Sequence, residues 1–342
     1  MRGCTPYGAA MTILVTGAAG FIGAATARAL LEREERVVGI DSLNDYYDPA
    51  LKHARLARLS ADFGERFDFE QIDFADADAL GRMAGARDFD RIVHLGAQAG
   101  VRYSIEHPGA YVRSNLVGPC NMLELARQRR SSHLVYASSS SVYGGNKRLP
   151  FRVEDRVDHP LSLYAATKKS DELLTESYAS LYRLPATGLR FFTVYGPWGR
   201  PDMAMWIFVK ALFEDQPLPL YNGGEMRRDF TFVDDVVRGI VACLDSPPAD
   251  DGEAKAGGSS APHAIYNIGN SRSEDLMRVV QLLEQETGKK ALLSPVEMQP
   301  GDVKDTFADI SAIERDLDFS PRVTIDQGIP RFVAWYRDYH GV

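Results

Sequence analysis

Tyr164 and Lys168 are two residues whose types and spacing could perform acid–base chemistry. Residues four apart on a helix lie on one face, so a helix here would place the phenol beside the ammonium. A positive charge close to a phenol makes it easier to deprotonate. Tyr164 could then accept a proton from a substrate hydroxyl while hydride leaves the same carbon. The pair also arises by chance, so it indicates a catalytic base only if the chain builds a cofactor site.

A glycine-rich turn is the first sign of such a site. Gly17, Gly20 and Gly23 lie between a predicted strand, Thr12–Thr16, and a predicted helix, Phe21–Arg33. Glycines in this pattern allow a tight turn and a close approach to a pyrophosphate, which then faces the free amides of the helix N-terminus. The turn therefore predicts a dinucleotide site, although similar turns also serve as plain corners between a strand and a helix.

Acidic residues after the next two predicted strands extend this site. Asp41 follows the second strand, about twenty residues beyond the turn. A carboxylate at this position accepts hydrogen bonds from both ribose hydroxyls and repels a 2′-phosphate, which favours NAD over NADP. Asp41 could instead cap a turn. Asp73 and Phe74 follow the third strand, where a carboxylate and a ring could flank an adenine.

The elements that must position these residues alternate between strands and helices in the first half of the chain. The predicted strands are Thr12–Thr16, Arg36–Ile40, Phe67–Ile72, Arg91–Leu95, His133–Ala137 and Ala186–Phe192. This alternation predicts an α/β fold in which a doubly wound parallel sheet of the Rossmann type is covered by helices.

From Thr193 onward the sequence is richer in proline and glycine, with predicted helices near Met203–Phe213, Val233–Leu244 and Leu276–Thr287. We expect a disordered extension over 1–10, an NAD-binding domain over 11–192 to which some later segments return, and a smaller C-terminal α/β substrate-binding lobe, mainly 193–342. The segment Ser246–His263 has few apolar residues and is expected to form an exposed loop.

Composition limits the classes of function. The 342 residues are 45% hydrophobic and 25% charged, as in a globular chain with a sizeable core. A net charge of -8 without a basic run argues against a nucleic-acid partner. Cys4, Cys120 and Cys243 have neither metal-ligand nor disulfide spacing, so we expect no metal and a reducing compartment. Without a signal peptide or an apolar run of about 18 residues, we expect a cytoplasmic protein and no membrane partner.

The motifs together resemble the extended short-chain dehydrogenase/reductase family of nucleotide-sugar enzymes, from Met11 to the C-terminus. The resemblance rests on Gly17-x-x-Gly20-x-x-Gly23, Asp41, Asp73, His94-Leu-Gly-Ala-Gln-Ala99, the serine run before Val142-Tyr-Gly144, and Tyr164-x-x-x-Lys168. It implies that Tyr164 is the catalytic base, that Lys168 assists it and holds the nicotinamide ribose, and that Ser139 binds the reacting hydroxyl. Ser138 is expected to cap the backbone. The further NAD contacts that the resemblance implies come from Phe21, Ile22, Asn44, Leu95, Ala97, Gln98, Asn115 and Phe192.

Ser141 bears on the type of reaction. Family members that decarboxylate or dehydrate a nucleotide sugar carry a glutamate at the position of Ser141. The missing carboxylate favours oxidation followed by reduction on the other face of the sugar, which is epimerisation with NAD retained.

The segment Arg190–Ala204 resembles the UDP-glucuronate 4-epimerases, whereas galactose-type epimerases have asparagine at the position of Thr193. Hydroxyl groups here could bind a carboxylate, and an arginine could add positive charge. The residues implied are Thr193, Ser139, Ser140, Ser141 and Arg200, with Arg102 as a further candidate.

The UDP part of such a substrate is expected to meet later residues. Tyr221 matches the aromatic residue that stacks on uracil, and Arg228 matches the diphosphate-binding arginine. Gln299 stands where galactose-type relatives have an arginine, so it can offer phosphate only a neutral hydrogen bond. Asp302 is expected to meet ribose hydroxyls.

The sequence therefore predicts an isomerase that interconverts UDP-glucuronate and UDP-galacturonate through a 4-keto intermediate. The alternatives are a 4-epimerase of UDP-glucose or UDP-N-acetylglucosamine, a UDP-glucuronate decarboxylase, and a catalytically silent binding protein. Family resemblance implies a homodimer formed through the helices around Tyr111–Arg127 and Leu161–Tyr182.

Overall fold

The computed structural model describes residues 12–87, 89–297 and 303–342, so the expected extension over 1–10 lies outside these ranges. The strands are β1 (Thr12–Thr16), β2 (Arg36–Asp41), β3 (Phe67–Gln71), β4 (Arg91–His94), β5 (His133–Ser139), β6 (Ala186–Phe191), β7 (Thr193–Tyr195), β8 (Pro217–Tyr221), β9 (Arg227–Arg228), β10 (Phe230–Phe232), β11 (His263–Ile268), β12 (Glu274–Asp275) and β13 (Leu292–Val296). Within the described ranges, the main sheet has seven parallel strands in the order β3-β2-β1-β4-β5-β6-β11. The predicted doubly wound parallel sheet is confirmed.

The helices connect these strands and continue into the second half of the chain. They are α1 (Phe21–Glu32), α2 (Ala50–Phe63), α3 (Ala77–Ala86), α4 (Tyr103–Glu106), α5 (Pro108–Val112), α6 (Gly118–Arg129), α7 (Leu163–Tyr182), α8 (Ala204–Phe213), α9 (Val233–Asp245), α10 (Leu276–Thr287), α11 (Ser311–Leu317) and α12 (Ile325–His340). A π-helical turn, Arg113–Val117, joins α5 to α6. None of the helices in the described ranges combines the length and the apolar character that a membrane crossing requires.

Apart from β3 at its edge, the strands of the main sheet are almost entirely buried, which explains their nearly continuous apolar runs. In β1, Ile13 and Val15 pack into one core cluster and Leu14 into the other, as expected when successive side chains point to opposite faces. The larger cluster continues into the C-terminal half, where β7 pairs with β10 and β8 with β13. Because β11 comes from the second half of the chain and joins the edge of the main sheet, the two halves share this sheet.

The expectation that Ser246–His263 forms an exposed loop is wrong for parts of its second half, although Gly257, Gly258 and Ser260 are exposed. Ala256 and Ala261 are buried, and the hydroxyl of Ser259 and the ring of His263 both hydrogen-bond the carboxylate of Glu176 on α7. Small residues allow this segment to pack closely beside β11, so low hydrophobicity did not mean exposure here.

Candidate active site

A cavity of about 1020 Å³ opens at the carboxyl ends of β1, β2, β4, β5 and β6. Its location is where open parallel sheets bind ligands, at the point where the strand order reverses between β1 and β4. Of the residues predicted to bind the cofactor, those lining it are Gly17, Gly20, Phe21, Ile22, Gly23, Asp41, Asn44, Asp73, Phe74, Leu95, Ala97, Gln98, Tyr164, Lys168 and Phe192. The predicted substrate residues lining it are Arg102, Ser139, Ser140, Ser141, Thr193, Arg200, Tyr221 and Arg228. Gln299 and Asp302 lie outside the described residues.

The glycine turn forms a cradle that side chains would fill. Gly17 has a φ of +69°, and a Cβ atom there would lie 2.8 Å from the amide nitrogen of Gly96. A Cβ atom at Gly23 would lie 2.0 Å from the carbonyl oxygen of Gly17. Gly20 begins α1 without a side-chain cap, so no side chain blocks this helix N-terminus. The turn fits a pyrophosphate bound by backbone amides.

Asp41 is fixed at the end of β2. Its carboxylate accepts hydrogen bonds from the amides of Ala19, at 3.2 Å, and Leu43, at 2.8 Å. Lys52 on α2, which sequence reasoning missed, donates to the backbone and side-chain oxygens of Asn44 at 2.7 and 2.8 Å. Burial lowers the pKa of Lys52. The carboxylate and the neighbouring amide are thus held at the cavity wall, where a ribose could meet them.

Two predicted cofactor residues serve mainly as supports in this structure. The side chain of Asn115 is fully buried outside the cavity lining, where it bonds the backbone of Gln98 at 2.8 and 2.9 Å and the hydroxyl of Thr167 at 3.1 Å. It therefore joins the segment after β4 to α7. Phe74 packs edge-on against His94, and its ring lies so close to Gly96 that a Cβ atom there would be only 2.5 Å away. Most of that ring belongs to the core.

Tyr164, Lys168 and Ser139 face one cavity. The hydroxyl of Ser162 caps α7 by accepting from the amide of Ala165 at 3.1 Å, and Tyr164 packs edge-on against Tyr111, with ring centroids 6.1 Å apart. Lys168 is buried, and its ammonium donates to Asp171 at 2.6 Å. Tyr164 and Lys168 are therefore on the helix that the spacing predicts, and Asp171 is a partner that the spacing did not reveal.

The hydrogen bonds of two neighbouring serines, Ser138 and Ser139, differ from the expected pattern. Ser139 caps the backbone, since its Oγ accepts from the amide of Ser141 at 3.1 Å. The same hydroxyl donates to the Oγ of Ser141, also at 3.1 Å. The expectation that Ser138 caps the backbone is wrong, because its hydroxyl donates to Glu172 at 2.7 Å. A buried carboxylate on α7 is a stronger acceptor than a backbone carbonyl and lies within reach of Ser138.

Glu172 belongs to a buried polar network behind the serines. Arg190 on β6 donates to both Glu172 oxygens, at 2.8 and 3.0 Å, and to the hydroxyl of Tyr143 at 3.0 Å. Burial of Glu172 opposes the ionisation of its carboxylate, but Arg190 holds the pKa of Glu172 below its usual value. The network ties both ends of the serine run to α7 and β6. An arginine in the apolar run of β6 was the sequence signal for it.

The predicted substrate residues line the other side of the cavity. Thr193 lies in β7, paired with Phe230 of β10. Arg102 donates to the Tyr221 hydroxyl at 2.9 Å, and its guanidinium lies 4.2 Å from the centroid of that ring. Arg228 donates to the carbonyl of Lys304 at 2.7 Å. Arg102 and Tyr221 thus come together although they are 119 positions apart in sequence.

Known proteins resemble the chain over nearly its whole length. A family model described as GDP-mannose 4,6 dehydratase matches residues 14–332. The chain belongs to this family. The family is a branch of the extended short-chain dehydrogenases/reductases that the motifs predicted, and that prediction is confirmed.

Relatives within the family include CapI of Staphylococcus aureus, 48% identical over 335 residues, with 96% of this chain and 99% of that protein covered. A probable UDP-glucuronate 4-epimerase of Rhizobium meliloti is 45% identical over 332 residues, covering 95% of this chain and 97% of that protein. Among solved structures, UDP-glucuronic acid 4-epimerase from Bacillus cereus, in complex with UDP-glucuronic acid and NAD, superposes with a TM-score of 0.85. It is 34% identical, with 96% of this chain and all of that chain covered.

Proposed function

We propose that this protein is an NAD-dependent 4-epimerase that interconverts UDP-glucuronate and UDP-galacturonate. The observation that carries the proposal is the sharing of one cavity by Tyr164, Lys168 and Ser139 with Thr193 and Arg200. The first three suit oxidation of a hydroxyl, and the last two suit a carboxylate on the same sugar. The solved relative that binds UDP-glucuronic acid and NAD supports this assignment.

The glycine turn fits the pyrophosphate of NAD, and the Asp41 carboxylate fits a ribose of NAD. NAD, when bound, would supply reversible hydride transfer at carbon 4 of the sugar. Tyr164 takes the proton of the 4-hydroxyl group and later gives it back. Lys168, which lines the same cavity, supplies a positive charge on the helix that carries this base. For Ser139 to align the hydroxyl, its Oγ must exchange the bond to Ser141 for one to substrate.

The carboxylate makes this oxidation hazardous, because a 4-ketoglucuronate is a β-keto acid. Such acids lose carbon dioxide when the bond to the carboxylate lies parallel to the carbonyl π system. Thr193 and the hydroxyls of Ser139, Ser140 and Ser141 are donors that can keep this bond near the carbonyl plane. Ser141, where decarboxylating relatives carry glutamate, offers no carboxylate to assist the loss.

A homodimer is part of the proposal. Apolar side chains are exposed along the π turn and α7, with Val117 46% and Leu173 60% exposed. Large exposed apolar patches can mark interaction sites. Both residues lie on the helical segments through which family resemblance implies dimer formation.

Incubation of the purified protein with UDP-glucuronate and no added NAD tests the function. We expect UDP-galacturonate in the nuclear magnetic resonance spectrum and no carbon dioxide. Release of carbon dioxide with a UDP-pentose would instead identify a decarboxylase, and turnover of only UDP-glucose or UDP-N-acetylglucosamine would favour the neutral-sugar alternatives.

A further inference from the structure

Arg55 fixes the backbone of the loop that carries Arg200. Its side chain on α2 is only 2% exposed, and it donates to the carbonyl oxygens of Trp198, at 2.6 and 3.2 Å, and Gly199, at 3.0 Å. The same guanidinium donates to the carbonyl of Ala19 in the glycine turn at 2.9 Å. The backbone before Arg200 is therefore tied to the cofactor side of the cavity. What remains to be set is the direction of the Arg200 side chain.

Asp202 sets that direction. The Arg200 guanidinium donates to the Asp202 carboxylate through Nε, at 3.0 Å, and through Nη2, at 2.5 Å. Although burial opposes both charges, this pairing raises the pKa of Arg200 and lowers the pKa of Asp202. Both bonds use one edge of the planar guanidinium, so they fix its plane as well as its position. Arg200 itself lines the cavity, so the guanidinium fixed in this way lies where a substrate carboxylate could meet it.

Tyr46 holds Asp202 from the loop between β2 and α2. Its hydroxyl donates to Oδ2 of Asp202 at 3.0 Å. Burial, reinforced by Asp202, raises the pKa of Tyr46 to about 12, so this hydroxyl remains a donor at neutral pH. Gly100 makes room for it, because a Cβ atom at that residue would lie 2.5 Å from the Tyr46 oxygen. The loops that carry Tyr46, Gly100 and Asp202 thus meet at the Tyr46 hydroxyl group.

We propose that Asp202 and Tyr46 are positioning residues that aim Arg200 at the sugar carboxylate and so determine selectivity for an acidic nucleotide sugar. The inference rests on the proposed function, because it assigns Arg200 to the substrate carboxylate. It adds two residues of the cavity wall, of which Asp202 bonds Arg200 and Tyr46 bonds Asp202. We expect their effect on the substrate to pass through Arg200.

Mutation separates this role from simple electrostatics. If Asp202 acted only as a nearby negative charge, its removal would relieve repulsion and an acidic sugar would bind more tightly. If it aims Arg200, Asp202→Ala frees the guanidinium, and the Kd of UDP-glucuronate rises about tenfold. Asp202→Asn keeps one acceptor oxygen and should lie between wild type and alanine. Tyr46→Phe should raise the Kd by about threefold, the loss expected for one neutral hydrogen bond.

Calorimetric titration of the NAD-loaded protein with UDP-glucuronate and with UDP-glucose is the test. Matched controls come from an arginine, aspartate and tyrosine cluster outside the cavity lining, in which Asp316 pairs with Arg315 and accepts from Tyr266 at 3.0 Å. Asp316→Ala and Tyr266→Phe should leave both affinities unchanged.

We expect the Asp202 and Tyr46 variants to weaken UDP-glucuronate binding while the Kd of UDP-glucose stays within twofold. Unchanged or tighter UDP-glucuronate binding by Asp202→Ala, or equal weakening of both ligands, would overturn the positioning role and leave the proposed function standing. A wild-type protein that binds both sugars equally would overturn the acidic-substrate assignment and this inference with it.

Discussion

The ammonium of Lys168 donates a 2.6 Å hydrogen bond to the carboxylate of Asp171, one turn along α7. Both side chains are buried. Burial raises the pKa of Asp171 to about 6, even though Lys168 acts in the opposite direction. The lysine expected to assist Tyr164 therefore carries its own counter-charge, and part of its effect on that base is offset.

Asp171→Asn should shift the acidic limb of the kcat/KM profile to lower pH. Without the anion, the positive charge of Lys168 is no longer neutralised by the carboxylate beside it, and an unopposed positive charge favours the deprotonated form of a nearby acid. Because wild-type Asp171 is itself protonated below about pH 6, the two profiles should differ mainly above that pH and converge below it. The matched control is Asp215→Asn, which breaks a surface pair with Lys289. Superimposable profiles, or a limb moved to higher pH, would exclude this role for Asp171.

Gly23→Ala should yield protein without bound NAD. The added methyl group would lie 2.0 Å from the carbonyl oxygen of Gly17, so the turn and the start of α1 must shift apart. The absorbance ratio of the purified protein at 260 and 280 nm, with extraction of the nucleotide, measures the loss. Gly81→Ala on α3 is the control, since a Cβ atom there meets nothing within 4 Å. Full NAD content in the Gly23→Ala variant would contradict the role of the glycine turn in binding the pyrophosphate of NAD.

Thr193→Ala should slow epimerisation and release a UDP-pentose with carbon dioxide. Loss of the hydroxyl loosens the hold on the carboxylate, so the 4-keto intermediate more often reaches the alignment that decarboxylates. Thr193→Ser, which keeps the hydroxyl, should restore the wild-type product ratio. Anion-exchange chromatography of the nucleotide sugars gives that ratio. A slower enzyme with an unchanged ratio would show that Thr193 does not protect the intermediate.

Glu172→Leu should lower the free energy of unfolding by about 3 to 5 kcal/mol, because it leaves the buried Arg190 without its anion. Denaturant unfolding monitored by circular dichroism measures this change. Replacing Arg190 by methionine in the same chain should recover much of the loss, since an apolar pair avoids the uncompensated charge. Glu32→Gln, at an exposed pair with Arg28, should cost at most about 1 kcal/mol. A loss of only about 1 kcal/mol in Glu172→Leu would show that the network of Glu172 and Arg190 contributes little to the free energy of unfolding.

Local patterns were enough to predict the sheet and the principal site residues. The bounds of β1 and α10 agree with prediction, and Gly17, Asp41 and Tyr164 line the cavity because short spacings determine where each residue lies on its own element. Strand and helix periodicity do not depend on distant parts of the chain.

Contacts between distant segments could not be predicted in this way. Asp202 meets Tyr46 across 156 residues, and Arg55 meets Trp198 across 143. Ser138 was misassigned for the same reason, since its partner Glu172 lies on another element. Such partners depend on how loops pack above the sheet, which no local spacing encodes.

The most direct test of the mechanism is the fate of deuterium at carbon 4. UDP-glucuronate labelled there is incubated with the protein in ordinary water, and the UDP-galacturonate formed is analysed by mass spectrometry and nuclear magnetic resonance. Removal and return of hydride within one closed site predicts that the product retains the deuterium at carbon 4. Replacement of the label by solvent hydrogen would contradict oxidation and reduction at that carbon.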